Sequence, residues 1–183
     1  FTKLDETYRN AFIQNIRLLT EAKKLDHRMS TFNLERLAAS LKPERDDLFL
    51  FLGMQTLADR YFLNHPTEKR MLETPQAFWM RVAMGLALNE TRGLREDHAI
   101  RFYELMSTLR FVPSTPTLFH AGTSHPQLSS CYITTVTDSL DHIFKCLADN
   151  AQLSKWSGGL GNDWTNVRYR SVLGANKLDF DAT

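Results

Sequence analysis

The sequence predicts an α-helical amino-terminal domain followed by the opening of an α/β domain. Three observations predict it: apolar side chains at helical spacing over 1–110, two closely spaced prolines in the passage from Phe111 to Leu118, and a β-branched run at 129–136 leading into a capped helix and a Gly-rich stretch. Tyr8, Phe12, Ile16 and Leu19 fall at spacings of four, four and three, one face of a first helix. Leu34, Leu37, Ala38 and Leu41 make a shorter stripe that stops before Pro43. A third helix is predicted over about 45–63, burying Leu48, Leu52 and Phe62 and stopping near Asn64, His65 and Pro66. Thr74-Pro75 reads as a helix start, because threonine can cap free amides and proline is preorganised for the first turn. Phe78, Val82 and Leu86 then line the inner face of that fourth helix. A fifth, from about Glu96 to Leu109, turns Phe102, Met106 and Leu109 inward.

The second region is 111–183. Pro113 and Pro116 make Phe111 to Leu118 an extended passage that excludes a helix. Ser129 to Val136 reads as a strand, with Cys131, Ile133 and Thr135 on one side and Tyr132, Thr134 and Val136 on the other. Asp138 takes the helix-cap place, with Asp141 three positions later. Leu140, Ile143, Phe144, Leu147 and Ala151 form the helical stripe, and Cys146 lies on its flank. The helix ends near Trp156 and Ser157, where Gly158-Gly159-Leu160-Gly161 makes a turn.

Composition narrows the function. The chain has 183 residues, 43% of them hydrophobic, with 22 Lys plus Arg against 21 Asp plus Glu. A balance so close to neutral carries no basic footprint for nucleic acid. The apolar runs are far shorter than the roughly 18 residues of a membrane span, and the amino end shows no secretory pattern, so a cytoplasmic protein is expected. Two cysteines, Cys131 and Cys146, exclude a disulfide scaffold and a four-cysteine zinc site within this chain. The sequence opens on Phe1 rather than methionine, which suggests a segment of something longer.

Residue types alone leave the chemistry open. The glycines lack the strand-before, helix-after setting of a dinucleotide fingerprint and the Lys-Ser/Thr of a P-loop. A lone cysteine on a strand, as Cys131 is, is most often a small buried hydrophobe, and a bond to Cys146 would need Cα atoms within about 7 Å. His120 and His125 lack partner carboxylates, so no metal site is expected. Asp138, Asp141 and Asp163 each serve equally well as cap or loop residues.

Taken together, Ser114-Thr115-Pro116-Thr117, Ser129-Ser130-Cys131, Asp138-Ser139-Leu140-Asp141 and Gly158-Gly159-Leu160-Gly161, in this order and at these separations, resemble the large (α) subunit of the class I ribonucleotide reductase family. The likeness runs from about residue 25 to Arg168. It implies a helical domain followed by the first strand and helix of an incomplete ten-stranded α/β barrel. It also implies an oxidoreductase that makes deoxyribonucleotides by thiyl-radical chemistry, two electrons coming from a cysteine pair. Cys131 matches the first member of that pair, and Cys146 matches no functional position. Thr117, Ser130 and Gly159 match contacts to the ribonucleoside diphosphate substrate. Asp138, Ser139, Leu140 and Arg168 match the site of the specificity effector, ATP or a deoxynucleoside triphosphate. Further implied are a small subunit whose metallocofactor supplies the radical, thioredoxin or glutaredoxin as reductant, and a homodimer of full-length chains; no cofactor is expected on this chain itself.

Several family features have no counterpart here: the thiyl cysteine with its Asn and Glu, the second redox cysteine, the carboxyl-terminal cysteine pair and a recognisable ATP-cone. From Tyr169 to Thr183 the pattern departs from the family's specificity loop. The chain by itself is therefore expected to be inactive. The competing reading is a noncatalytic helical module, a degenerate homologue that binds a nucleotide or a protein.

Overall fold

A computed structural model describes residues 3–156 and 158–168. The chain divides into two compact units, Phe1–Ser130 and Cys131–Thr183. In the first, α1 (Lys3–Glu21), α2 (Leu34–Ala39), α3 (Phe51–Arg60), α4 (Pro75–Ala87), α5 (Arg95–Ser107) and α6 (Thr115–His120) alternate with two short 3-10 helices, His27–Thr31 and Pro43–Leu48. The second contains β1 (Cys131–Thr135), α7 (Leu140–Lys155) and β2 (Gly159–Asp163).

Periodicity places most of the helical core. Phe12, Ile16 and Leu19 of α1 and Leu34, Leu37, Ala38 and Leu41 around α2 are all buried. α4 is buried on nearly every side, from Pro75 to Met84, its mostly apolar surface interrupted by the buried Gln76 and Arg81. Phe78 and Val82 face inward as predicted, although Thr74 occupies the cap position without a side-chain cap bond. On α5 the inward residues are Ala99, Tyr103 and Met106, whereas Leu109 lies past the helix end at φ 56° and is exposed.

Two predicted elements of this unit change. The helix expected over 45–63 is broken: Phe49 is extended and stacks on Trp79, so the chain makes a 3-10 turn, a kink and then α3. Rotated by that kink, α3 buries Leu57, leaves Leu52 exposed beside an exposed Leu48, and Phe62 is buried just beyond it. The passage expected to be extended through 118 contains α6. Pro116 sits in its first turn, where its missing N–H breaks no helical bond. Tyr61 stacks on Phe119 with ring centroids 4.6 Å apart, and α6 packs on α4, which holds residues 111–130 in the helical unit.

α4 and α6 meet at backbone contact. A Cβ on Gly85 would fall 2.1 Å from the Gly122 nitrogen, and Gly122 itself adopts φ 79°, a left-handed conformation that glycine admits without strain. At this junction the fully buried Arg81 pairs with Glu73, Nε to Oε1 at 2.6 Å, and donates from Nη1 to the carbonyls of Ala121 (2.9 Å) and Leu118 (3.3 Å). A second buried network joins Tyr8, Asp46, Gln76 and Tyr103: Tyr8 and the Gln76 amide donate to the Asp46 carboxylate, and Tyr103 donates to Gln76 Oε1. Burial pushes the Tyr103 phenol up to about 12, and desolvation raises Asp46 above the usual carboxylate range despite its two donors.

In the second unit β1 and β2 run parallel, Cys131 opposite Gly159 and Thr135 opposite Asp163. The predicted Gly-rich turn is therefore a strand. Gly158 closes α7 by donating to the Leu153 carbonyl, and ladder pairing with β1 then outweighs the low strand propensity of glycine. β1 alternates as predicted, with Cys131, Ile133 and Thr135 exposed and Tyr132 and Thr134 half-buried. The α7 stripe does not face inward: Leu140, Phe144 and Leu147 are exposed, and the flanking Cys146 is the buried residue, because α7 lies against β2 along that flank.

Two outcomes are expected. Arg81→Met leaves Glu73 buried without its counter-charge and should cost about 3–5 kcal/mol in urea unfolding, while adding Glu73→Gln recovers much of the loss. The raised Asp46 carboxyl keeps its proton in the folded state at a pH where the unfolded chain has lost it. Its contribution to stability therefore falls as pH rises from about 4 through the raised value, and thermal midpoints of the parent chain against Asp46→Asn should diverge over that window.

Candidate functional site

Cys131 begins β1 as a free, exposed thiol. Partner residues of parallel strands project to the same face, about 4.8 Å apart, so Gly159 and Gly161 flank the row Cys131, Ile133 on that face. Neither glycine carries a side chain, so no Cβ stands beside the thiol in the facing strand. Cys146 is buried on α7 and also free, so the two sulfurs form no disulfide.

The chain reaches Cys131 from α6. Thr117 is buried there, and its hydroxyl donates to the Leu128 carbonyl at 2.7 Å, two residues before the half-buried Ser130. The residues matched to the substrate are thus tied in two pairs, Thr117 with the approach to Ser130 in the helical unit, and Cys131 with Gly159 in the sheet.

The residues matched to the effector meet at the start of α7. The cap is Ser139 rather than Asp138: its Oγ accepts the His142 N–H at 3.2 Å. A hydroxyl one residue closer to the first turn reaches that amide, which frees the Asp138 carboxylate to pair with Arg168, Oδ2 to Nε at 2.9 Å. Asp141 lies in the first turn, where the helix dipole favours a negative charge, and Leu140 begins the helix with its side chain largely exposed.

Arg168 is brought there by the turn after β2. Asp163 Oδ1 accepts both the N–H (3.0 Å) and the hydroxyl of Thr165, and these bonds hold its carboxyl below the usual range. The Asp163 carbonyl meanwhile receives the Val136 N–H at 2.8 Å, so the end of β2 and the start of the 137–140 segment are held side by side. Sequence reasoning missed His142, whose only signal was its place three residues after the cap, where a side chain can reach back to free amides. His120 bonds the Gln127 carbonyl through Nδ1. Among the described residues no three of His, Cys, Asp and Glu gather as a metal-binding group, and no helix is long and apolar enough to cross a membrane. Ser157 and the divergent stretch 169–183 lie outside the described residues.

Comparison with known proteins agrees with this layout. Residues 47–126 match the family model of the ribonucleotide reductase all-alpha domain, and 129–175 that of the ribonucleotide reductase barrel domain. The chain is 51% identical over 165 residues to the ribonucleoside-diphosphate reductase subunit alpha of Chlamydia pneumoniae, covering 90% of this chain and 15% of that protein. The subunit alpha of Treponema pallidum is 34% identical over 91% of this chain and 20% of its own length. The ribonucleoside-diphosphate reductase large chain 2 of Saccharomyces cerevisiae is 36% identical over 74% of this chain and 15% of its own. The chain thus spans about one sixth of the length of such relatives, across the junction of their two domains, and it belongs to the ribonucleotide reductase family as a stretch of the large subunit.

Proposed function

We propose that the full-length protein reduces ribonucleoside diphosphates to deoxyribonucleotides and that Cys131 is one member of the thiol pair supplying the electrons. The observation that carries this reading is the exposed, unpaired thiol at the start of β1 with a bare glycine beside it in register. A sugar can approach such a thiol from the glycine side, and a strand holds the sulfur in place. In the reaction the 2′ C–O bond breaks, its oxygen takes up one proton and leaves as water, and a C–H bond forms at the 2′ carbon with the electron pair and the second proton. The two thiols surrender two electrons and two protons and join as a disulfide, which thioredoxin or glutaredoxin reduces again by thiol exchange. The second thiol and the thiyl radical belong to other parts of the protein.

Thr117, Ser130 and Gly159 serve the substrate. The Ser130 hydroxyl and an unhindered backbone suit phosphate and ribose oxygens, while Thr117 Oγ1, its proton on the Leu128 carbonyl, is left as an acceptor for a ribose hydroxyl and orders the approach to Ser130. Asp138, Ser139, Leu140 and Arg168 serve an ATP or deoxynucleoside triphosphate effector. A carboxylate accepts from ribose hydroxyls, while the start of α7 and the guanidinium favour phosphate oxygens. Effector entry separates Asp138 from Arg168, and an exposed pair of this kind contributes at most about 1 kcal/mol. The radical is assigned to a metallocofactor in a small partner subunit, and no step on this chain is routed through a metal. Two full-length chains pair as a homodimer around the effector.

Two measurements test this in the full-length protein with its small subunit. Cys131→Ser should abolish multiple turnover with a dithiol reductant, and near-normal turnover would remove Cys131 from the electron path. Gly159→Val should raise KM for CDP or stop turnover by filling the space beside the thiol. An unchanged KM and kcat would show that the substrate does not pass that face.

A further inference from the structure

We propose that His142 is a positioning residue for the nucleoside triphosphate effector, its Nδ1 lone pair setting the turn that presents Asp138, Ser139 and Leu140. The inference rests on the effector reading above and adds a residue to which neither the family likeness nor the comparisons assign a role.

Both backbone groups of Thr137 are held. Its N–H donates to His142 Nδ1 at 3.1 Å, and its carbonyl accepts the Ser139 N–H at 2.8 Å. Asp138 is therefore the apex of a tight turn anchored on the imidazole. The residue is anchored in turn: its backbone N–H donates to Ser139 Oγ at 3.2 Å, and beside the ring the buried Cys146 sulfur, one helical turn on, lies 3.5 Å from Nδ1. The Thr137 N–H directed at Nδ1 requires that nitrogen to be an acceptor, which assigns the ring proton to Nε2. A capping box closes a helix start with a Glu or Gln at this position. Here the shorter, rigid ring reaches past the cap to Thr137, so the bond organises the residues before the helix as well as its first turn.

The consequence for a ligand is preorganisation. Asp138 and the amides after it do not have to be ordered when the effector arrives, because the Thr137 amide is already fixed. Without the imidazole acceptor that amide turns to solvent, the segment gains freedom, and ordering it again weakens binding by about three- to tenfold, the net worth of one hydrogen bond.

The test is equilibrium binding of dTTP to the full-length protein and to three variants. Asparagine carries an acceptor oxygen at the same number of bonds from Cβ as Nδ1, whereas glutamine carries it one bond further out. His142→Asn should bind within about twofold of the parent, while His142→Ala and His142→Gln weaken by about three- to tenfold. A merely structural role in α7 gives the opposite order, since Ala and Gln are better helix formers than Asn. Equal affinity in all three variants, equal loss in all three, or the helix-propensity order overturns the role of His142 while leaving the effector site in place. A parent protein that binds no dTTP overturns the effector reading and the inference with it.

Discussion

The helical unit is organised by one buried charge. Arg81 has no access to water, and an unpaired guanidinium there would cost several kcal/mol. Its demand is met by Glu73 on one side and on the other by the Leu118 and Ala121 carbonyls, groups that the end of a short helix leaves without partners of their own. Glu73 also accepts the Leu63 N–H at 2.8 Å, so the chain beyond α3, the centre of α4 and the end of α6 converge on one cation. Gly85 and Gly122 are consequences of that convergence, since a side chain at Gly85 would strike backbone.

That junction also orders the chain that follows α6. Arg81 fixes the end of α6, α6 carries Thr117, Thr117 holds Leu128, and three residues later the chain enters β1 at Cys131. Each link is a hydrogen bond or a peptide connection, so the core of the helical unit orders the chain as far as Leu128. The sheet unit has a different balance. Among the described residues, two strands and one helix leave Ile133, Phe144 and Leu140 exposed, and two-stranded sheets are marginal by themselves. Its order comes from polar detail: the ladder, the Asp163 turn and the bonds around Thr137.

Much was legible in residues alone. The stripe Phe12, Ile16, Leu19 and the set Leu34, Leu37, Ala38, Leu41 announced their burial because a 3.6-residue period survives any packing. The strand at Cys131 and its alternation were equally plain. Pro116 misled because a proline in a first turn and a proline breaking a helix look alike until the neighbouring helix is seen. Gly158-Gly159-Leu160-Gly161 misled for a related reason: glycine has no local preference for a strand, and only β1 makes it one.

The sequence by itself determined that a helical domain precedes a strand and a capped helix, that the cysteines cannot form a scaffold, and that four linked motifs place the chain in the ribonucleotide reductase family. Local periodicity, composition and motif spacing are properties of the chain, and folding does not alter them. Tertiary structure alone decided that Gly159 stands beside Cys131, that Asp138 is free to meet Arg168 because Ser139 takes the cap, and that His142 rather than an acidic residue holds the turn before α7. Those outcomes depend on which backbone groups lack partners after the elements pack, and the competition for them is settled only in three dimensions.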